Sequence, residues 1–254
     1  MDVIKDISST TLAYLINESS YARKNHIETI SADMDRKSLE SLYIACREYA
    51  CSSIVNHLTK FDNLKAGEIY HLFCNTNKFY ILARVRTNWE KPSIEETAEK
   101  RRFLSFSILT EKNVSHYPGL VLYGFHNGVK PSMIGYIFPR DADTIADAKN
   151  RLELSDEPEI LLDIEDLCRA AWEKRTYCQV SIESKTIEYI NGVPPKTKAL
   201  QPEVVIAIDE PTKNDIFAAR QRKLPILVLH RSKNTIMNVC DQFPIQGLRN
   251  PKYL

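Results

Sequence analysis

Two short apolar runs late in the chain, EVVIAI (Glu203–Ile208) and PILVLH (Pro225–His230), constrain its fold more than any other feature. Neither alternates apolar with polar residues, so each calls for a strand covered on both faces. Between them, TKNDIFAARQRK (Thr212–Lys223) has helical character. Strand, helix and strand in this order read as a parallel β-α-β unit, whose two strands end at one edge of a sheet.

That edge is where such units hold ligands. The first run ends at Ile208 and delivers Asp209 and Glu210. The second ends near Leu229 and delivers His230, Arg231, Ser232 and Lys233. Carboxylates facing an imidazole and a guanidinium can move protons or hold an anion. The same charges also have a structural use. Pro211 suits a first helical turn, Thr212 with Asp215 makes a capping box, and Glu210 complements the helix start. Arg220, Arg222 and Lys223 complement its C-terminal end. No glycine-rich loop opens this helix, which argues against P-loop and Rossmann nucleotide sites.

Upstream, DRKSLESLYIACREYACSSIVNHLTKF repeats apolar residues at steps of three and four: Leu39, Leu42, Tyr43, Cys46, Tyr49, Ala50, Ile54 and Leu58. This is a helical stripe with Asp35 as N-cap. An earlier helix is expected around Ile7–Ser20. Residues 66–138 then read as an antiparallel meander of four or five strands, with turns at NTNK and HNG. ADTIADAKNRLE and DIEDLCRAAWEKR read as helices, and YCQVSIESKTIEYING as a strand or hairpin. The segment from Asp241 shows little pattern and is expected to run over the surface.

Three further constellations carry chemistry. Asp141 and Asp143, in PRDADT after an apolar run, have the spacing of an oxygen-ligand site for Mg2+ or Mn2+, and equally that of helix caps. Glu183 and Lys185 form a Glu-x-Lys pair of the kind used by metal-dependent nucleases, where a carboxylate shares the metal and the lysine faces the phosphate. Its upstream carboxylate would be Glu159, a poor fit because a helix intervenes. Cys46, Cys51 and His57 share one helix, but Cys51 lies about 140° around it from Cys46, so one zinc cannot take all three.

Composition limits the partners. The 254 residues carry 34 basic and 33 acidic side chains, a net charge of +1. Overall charge therefore favours neither nucleic acid nor a membrane surface. Aromatic residues interleaved with Arg84, Arg86 and Arg102 leave a single-strand binding face open, though any twisted sheet with a solvated face looks the same. No run approaches the roughly 18 apolar residues of a membrane span. MDVIKDISSTTLAYLINESS lacks a basic head before a clean apolar core, so no secretory signal is expected. The six cysteines are scattered, as in reduced proteins of the cytosol or of another cell's cytosol after delivery.

The expected fold is α+β. An N-terminal helical layer (residues 1–62) packs on a mixed α/β region (residues 63–254) in one continuous domain, whose antiparallel or mixed sheet ends in the parallel β-α-β unit. The expected function is binding or processing of an anionic, phosphate- or nucleotide-like ligand. Asp209, Glu210 and His230 would do the chemistry there, Arg231 and Lys233 the holding, and Asp141 and Asp143 the metal binding. The alternatives are a metal-dependent nuclease using Glu183 and Lys185, and a non-catalytic interaction or effector protein.

Overall fold

The computed structural model describes residues 4, 7–59, 78–86, 103–110, 112–113, 121–139, 161–183, 186, 200–208, 216, 219, 224, 226–232 and 235–241. Helices and a β-sheet make it an α+β protein. The chain divides into two compact units, residues 1–57 with 130–181, and residues 58–129 with 182–254.

Three helices begin the first unit: α1 (Ser9–Asn17), α2 (Ser20–Lys24) and α3 (Arg36–His57). Each starts where a short polar side chain satisfies an amide that has no partner within the helix. Ser8 accepts from Thr11 N–H, Ser19 from Ala22 N–H and Asp35 from Ser38 N–H. Leu39, Tyr43, Cys46, Ala50 and Ile54 are buried along the α3 stripe, as is Cys51 to one side of it. The stripe is therefore wider than a single row of contacts. Arg47 leaves α3 to donate to the carbonyls of Ile134 and Gly135, at 2.7 and 2.8 Å. Those carbonyls open β4 (Ile134–Phe138). The first unit continues with α4 (Ile164–Glu173) and β5 (Gln179–Glu183), inside which the chain passes to the second unit. Strand β4 neighbours β5, and Tyr136 N–H donates to Ser181 Oγ.

Six strands order the second unit's sheet as β2-β1-β3-β6-β7-β8. They are β1 (Ile81–Arg86), β2 (Phe103–Leu109), β3 (Val121–Gly124), β6 (Val204–Ile208), β7 (Ile226–Ser232) and β8 (Thr235–Asp241). β6 and β7 pair in parallel, with Val205 opposite Ile226 and Ile208 opposite Leu229. The pairs β1–β2, β1–β3, β3–β6 and β7–β8 are antiparallel. Val204, Val205, Ile206 and Ala207 are all buried, as a strand covered on both faces requires. Of the segment between β6 and β7, Ile216 and Ala219 are described; both are helical and buried, and the rest of that predicted helix lies outside the described residues.

The meander expected over 66–138 is corrected. β1 lies between β2 and β3, and β3 turns its other edge to β6. Three successive strands are thus not laid down side by side in chain order. The sheet instead grows on either side of β1, whose Ile81, Leu82 and Ala83 are all buried. β4 does not pair with β3, the strand before it in the chain, and stands beside β5. Burial along β2 alternates only over its first residues. After Ser105 every residue of that strand is buried, including Ser107.

Turns follow their local chemistry. Gly128, in the HNG turn, has φ +85°, and a Cβ there would stand 3.3 Å from a Leu200 methyl. Asn113 closes the reversal after β2: its side chain accepts from Thr110 N–H and donates to the Ile108 carbonyl. Among the described residues, no helix is long and apolar enough to cross a membrane.

Candidate functional site

The parallel register sets the geometry of the predicted edge. Ile208 is the last residue of β6 and stands level with Leu229 on β7. The chain therefore leaves β6 toward Asp209 at the level where β7 moves from Leu229 to His230. Asp209, Glu210 and Lys233 lie outside the described residues, as do Asp141, Asp143, Glu159 and Lys185.

His230 and Arg231 are not beyond a strand end, as the sequence suggested. They lie within β7, which runs to Ser232 and pairs with β8. The reason is the pairing with β8: Ser232 stands opposite Thr235, so the ladder continues past the apolar run. Register slips at this point. His230 faces Asn238 and Arg231 faces Ile236, so Met237 is an extra residue on β8. A bulge of this kind bends its strand and sharpens the local twist, and bulges are enriched beside functional sites.

Glu183 ends β5 and is half-buried, and its carbonyl accepts from the Thr186 hydroxyl at 2.6 Å. Among the described residues no group of three His, Cys, Asp or Glu side chains is placed to hold a metal ion. Glu183 is thus the one described member of the Glu-x-Lys pair.

A second polar constellation, in the first unit, was not singled out by the sequence. Asp163 caps α4 by accepting from Asp166 N–H, and it pairs with Lys24. Ser20 is fully buried. Its Oγ donates to Asp166 Oδ2 at 2.6 Å and accepts from Asp163 N–H at 3.0 Å, while its own N–H donates to the Leu161 carbonyl. Asp166 also takes Arg23 at 2.8 Å, and Arg169 on its other oxygen.

Protonation follows from these contacts. Burial would raise the Asp166 pKa, but the Ser20 bond, the Arg23 bond and the charges of Arg23 and Arg169 outweigh it and hold the carboxyl below its usual range. The bond to Asp163 raises the Lys24 pKa against the opposing effect of burial, with the charges of Asp163, Tyr49 and Asp166 adding to it. A general base needs a lysine pushed the other way. Asp166 and Lys24 therefore stay charged at neutral pH, and the cluster joins α2 to the start of α4; its geometry suits a structural clip better than proton transfer. No single residue could have revealed it, because Ser19, Ser20, Asp163 and Asp166 each read as ordinary helix-start residues.

Comparison with protein-family models, with curated proteins and with solved structures finds no match for this chain.

Proposed function

We propose that this chain binds an anionic small molecule, phosphate- or nucleotide-like, at the carboxyl edge of β6 and β7. The observation that supports this reading is the parallel register ending at Ile208 and Leu229. In a parallel pair both strands direct their exits to one edge, and a β-α-β arrangement leaves a crevice outside it. An acidic pair, Asp209 and Glu210, follows β6 at this edge, while β7 carries His230 and Arg231 past the level of Ile208 and Lys233 follows its last residue, Ser232. Arginine matches the planar fork of a phosphate or carboxylate, and lysine adds a point charge. Asp209, Glu210 and His230 are the groups for any proton transfer to the held molecule. The bulge between His230 and Arg231 falls at the same level and supports the same reading.

Thermal unfolding with inorganic pyrophosphate and with adenosine monophosphate tests it. The expected result is a Tm that rises with ligand concentration in the wild type and stays level in Arg231→Ala, with the two proteins matching in far-UV circular dichroism. A rise of equal size in both proteins would overturn the assignment to this edge. Mg2+- or Mn2+-dependent cleavage of DNA or RNA that disappears in Lys185→Ala would replace it with the nuclease reading.

A further inference from the structure

Cys168 lies on α4, Cys178 lies one residue before β5, and their sulfur atoms stand 3.6 Å apart. Neither is in a disulfide; Cys178 is buried and Cys168 partly exposed. We propose that they form a redox pair that closes to a reversible intramolecular disulfide by exchange with a low-molecular-weight disulfide such as oxidised glutathione. The inference is independent of the ligand edge on β6 and β7.

The turn between them presets the encounter. α4 ends at Glu173, Lys174 N–H donates to the Ala170 carbonyl, and Arg175 takes φ +52°. Arg175 N–H then donates to the Trp172 carbonyl and Thr176 N–H to the Ala171 carbonyl. These bonds fold the chain back on the helix and bring the second thiol beside the first across a separation of ten residues. A disulfide bond is about 2.05 Å long, so the sulfurs need to close by about 1.5 Å, a distance on the scale of side-chain torsions. Two other cysteines of the first unit are differently placed: Cys46 is buried and bonded to Ser19 Oγ, and Cys51 is buried on α3.

Cys168, the partly exposed member, reacts first. Its thiolate attacks one sulfur of the small disulfide, forming a mixed disulfide and expelling one thiolate, which takes up the proton that Cys168 lost. The Cys178 thiolate then attacks the Cys168 sulfur and expels the second small thiol, again with transfer of one proton. In sum, two protein thiols lose two electrons and two protons, and one small disulfide becomes two thiols. The bond to Cys178, burial and the charge of Asp163 push the Cys168 thiol up, so the thiolate is scarce at neutral pH and exchange is slow. The product would tie the helix bearing Asp166 to the start of β5.

The test uses the whole chain, incubated with oxidised glutathione, blocked with N-ethylmaleimide and digested with trypsin. The expected product joins the peptide Leu152–Arg169 to the peptide Thr176–Lys185, with both thiols lost together and recovered in dithiothreitol. The oxidised wild type is also expected to melt higher than the reduced form, because the crosslink restricts the unfolded chain. Cys168→Ser should show no such rise under the same treatment. Stable glutathione adducts without the joined peptide, a link to any other cysteine, or no thiol loss from the folded chain would each overturn the proposal, and all three are read on the wild type.

Discussion

The Ser20 hydroxyl and the Asp166 carboxylate, 146 residues apart in sequence, are joined by a hydrogen bond of 2.6 Å. Asparagine at position 166 keeps one acceptor oxygen but removes the charge that strengthens the Ser20 bond and pairs with Arg23 and Arg169. Asp166→Asn should therefore destabilise the protein by about 1.5–3 kcal/mol, the range for a buried hydrogen bond to a charged group. Arg23 and Arg169 are substantially exposed, so their share is small. A double-mutant cycle in urea with Ser20→Ala should give a coupling above about 0.5 kcal/mol. Strict additivity would mean that the two groups do not act together.

Acid stability should reflect the same carboxylate. Asp166 has its folded pKa below the ordinary 3.8, so its contribution is fully present above that value and is lost as pH falls through the lower folded one. Lys24 works in reverse: its folded pKa lies above 10.5, so its contribution holds below that value and fades as pH rises past it. Urea midpoints measured from neutral pH downward should fall more steeply in the wild type than in Asp166→Asn. Parallel curves would contradict the assignment.

The centre of the second unit's sheet should be sensitive to truncation. Ile206 is fully buried between β3 and β7, and Ile206→Ala is expected to cost about 2–5 kcal/mol. Ile44 on α3 is 38% exposed, and Ile44→Ala should change stability by no more than about 0.5 kcal/mol. Chemical denaturation of both variants checks the contrast.

Gly128 offers a backbone test. Its φ of +85° is strained for any residue with a side chain, and the added methyl would press on Leu200. Gly128→Ala should cost about 1–2 kcal/mol, the scale of a left-handed residue. Gly128→Asn should cost less, because asparagine tolerates positive φ better. Equal losses would show that packing on Leu200 dominates.

The elements most legible in the sequence were those whose pattern repeats within one element. The α3 stripe from Leu39 to Ile54 and the unbroken apolar run of β6 each declare their own burial. Strand order was not legible, because β1 pairs with two partners that no local pattern names. β8 was missed: in TIMNVC the alternation is weak and Met237 interrupts it at a bulge. His230 and Arg231 looked like residues beyond a strand because polar side chains often mark strand ends. Here the pairing with β8 carries the ladder through them. At the ligand edge, pairing depends on neighbours distant in sequence. In the first unit, the Ser20–Asp166 clip depends on where α2 meets α4.

Backbone amide chemical shifts, followed by nuclear magnetic resonance during titration with inorganic pyrophosphate, test the proposed ligand edge most directly. The expected result is saturable change concentrated at Ile208–Glu210 and His230–Lys233, abolished in Arg231→Ala. Saturable change confined to other residues, or none at any concentration, would contradict it.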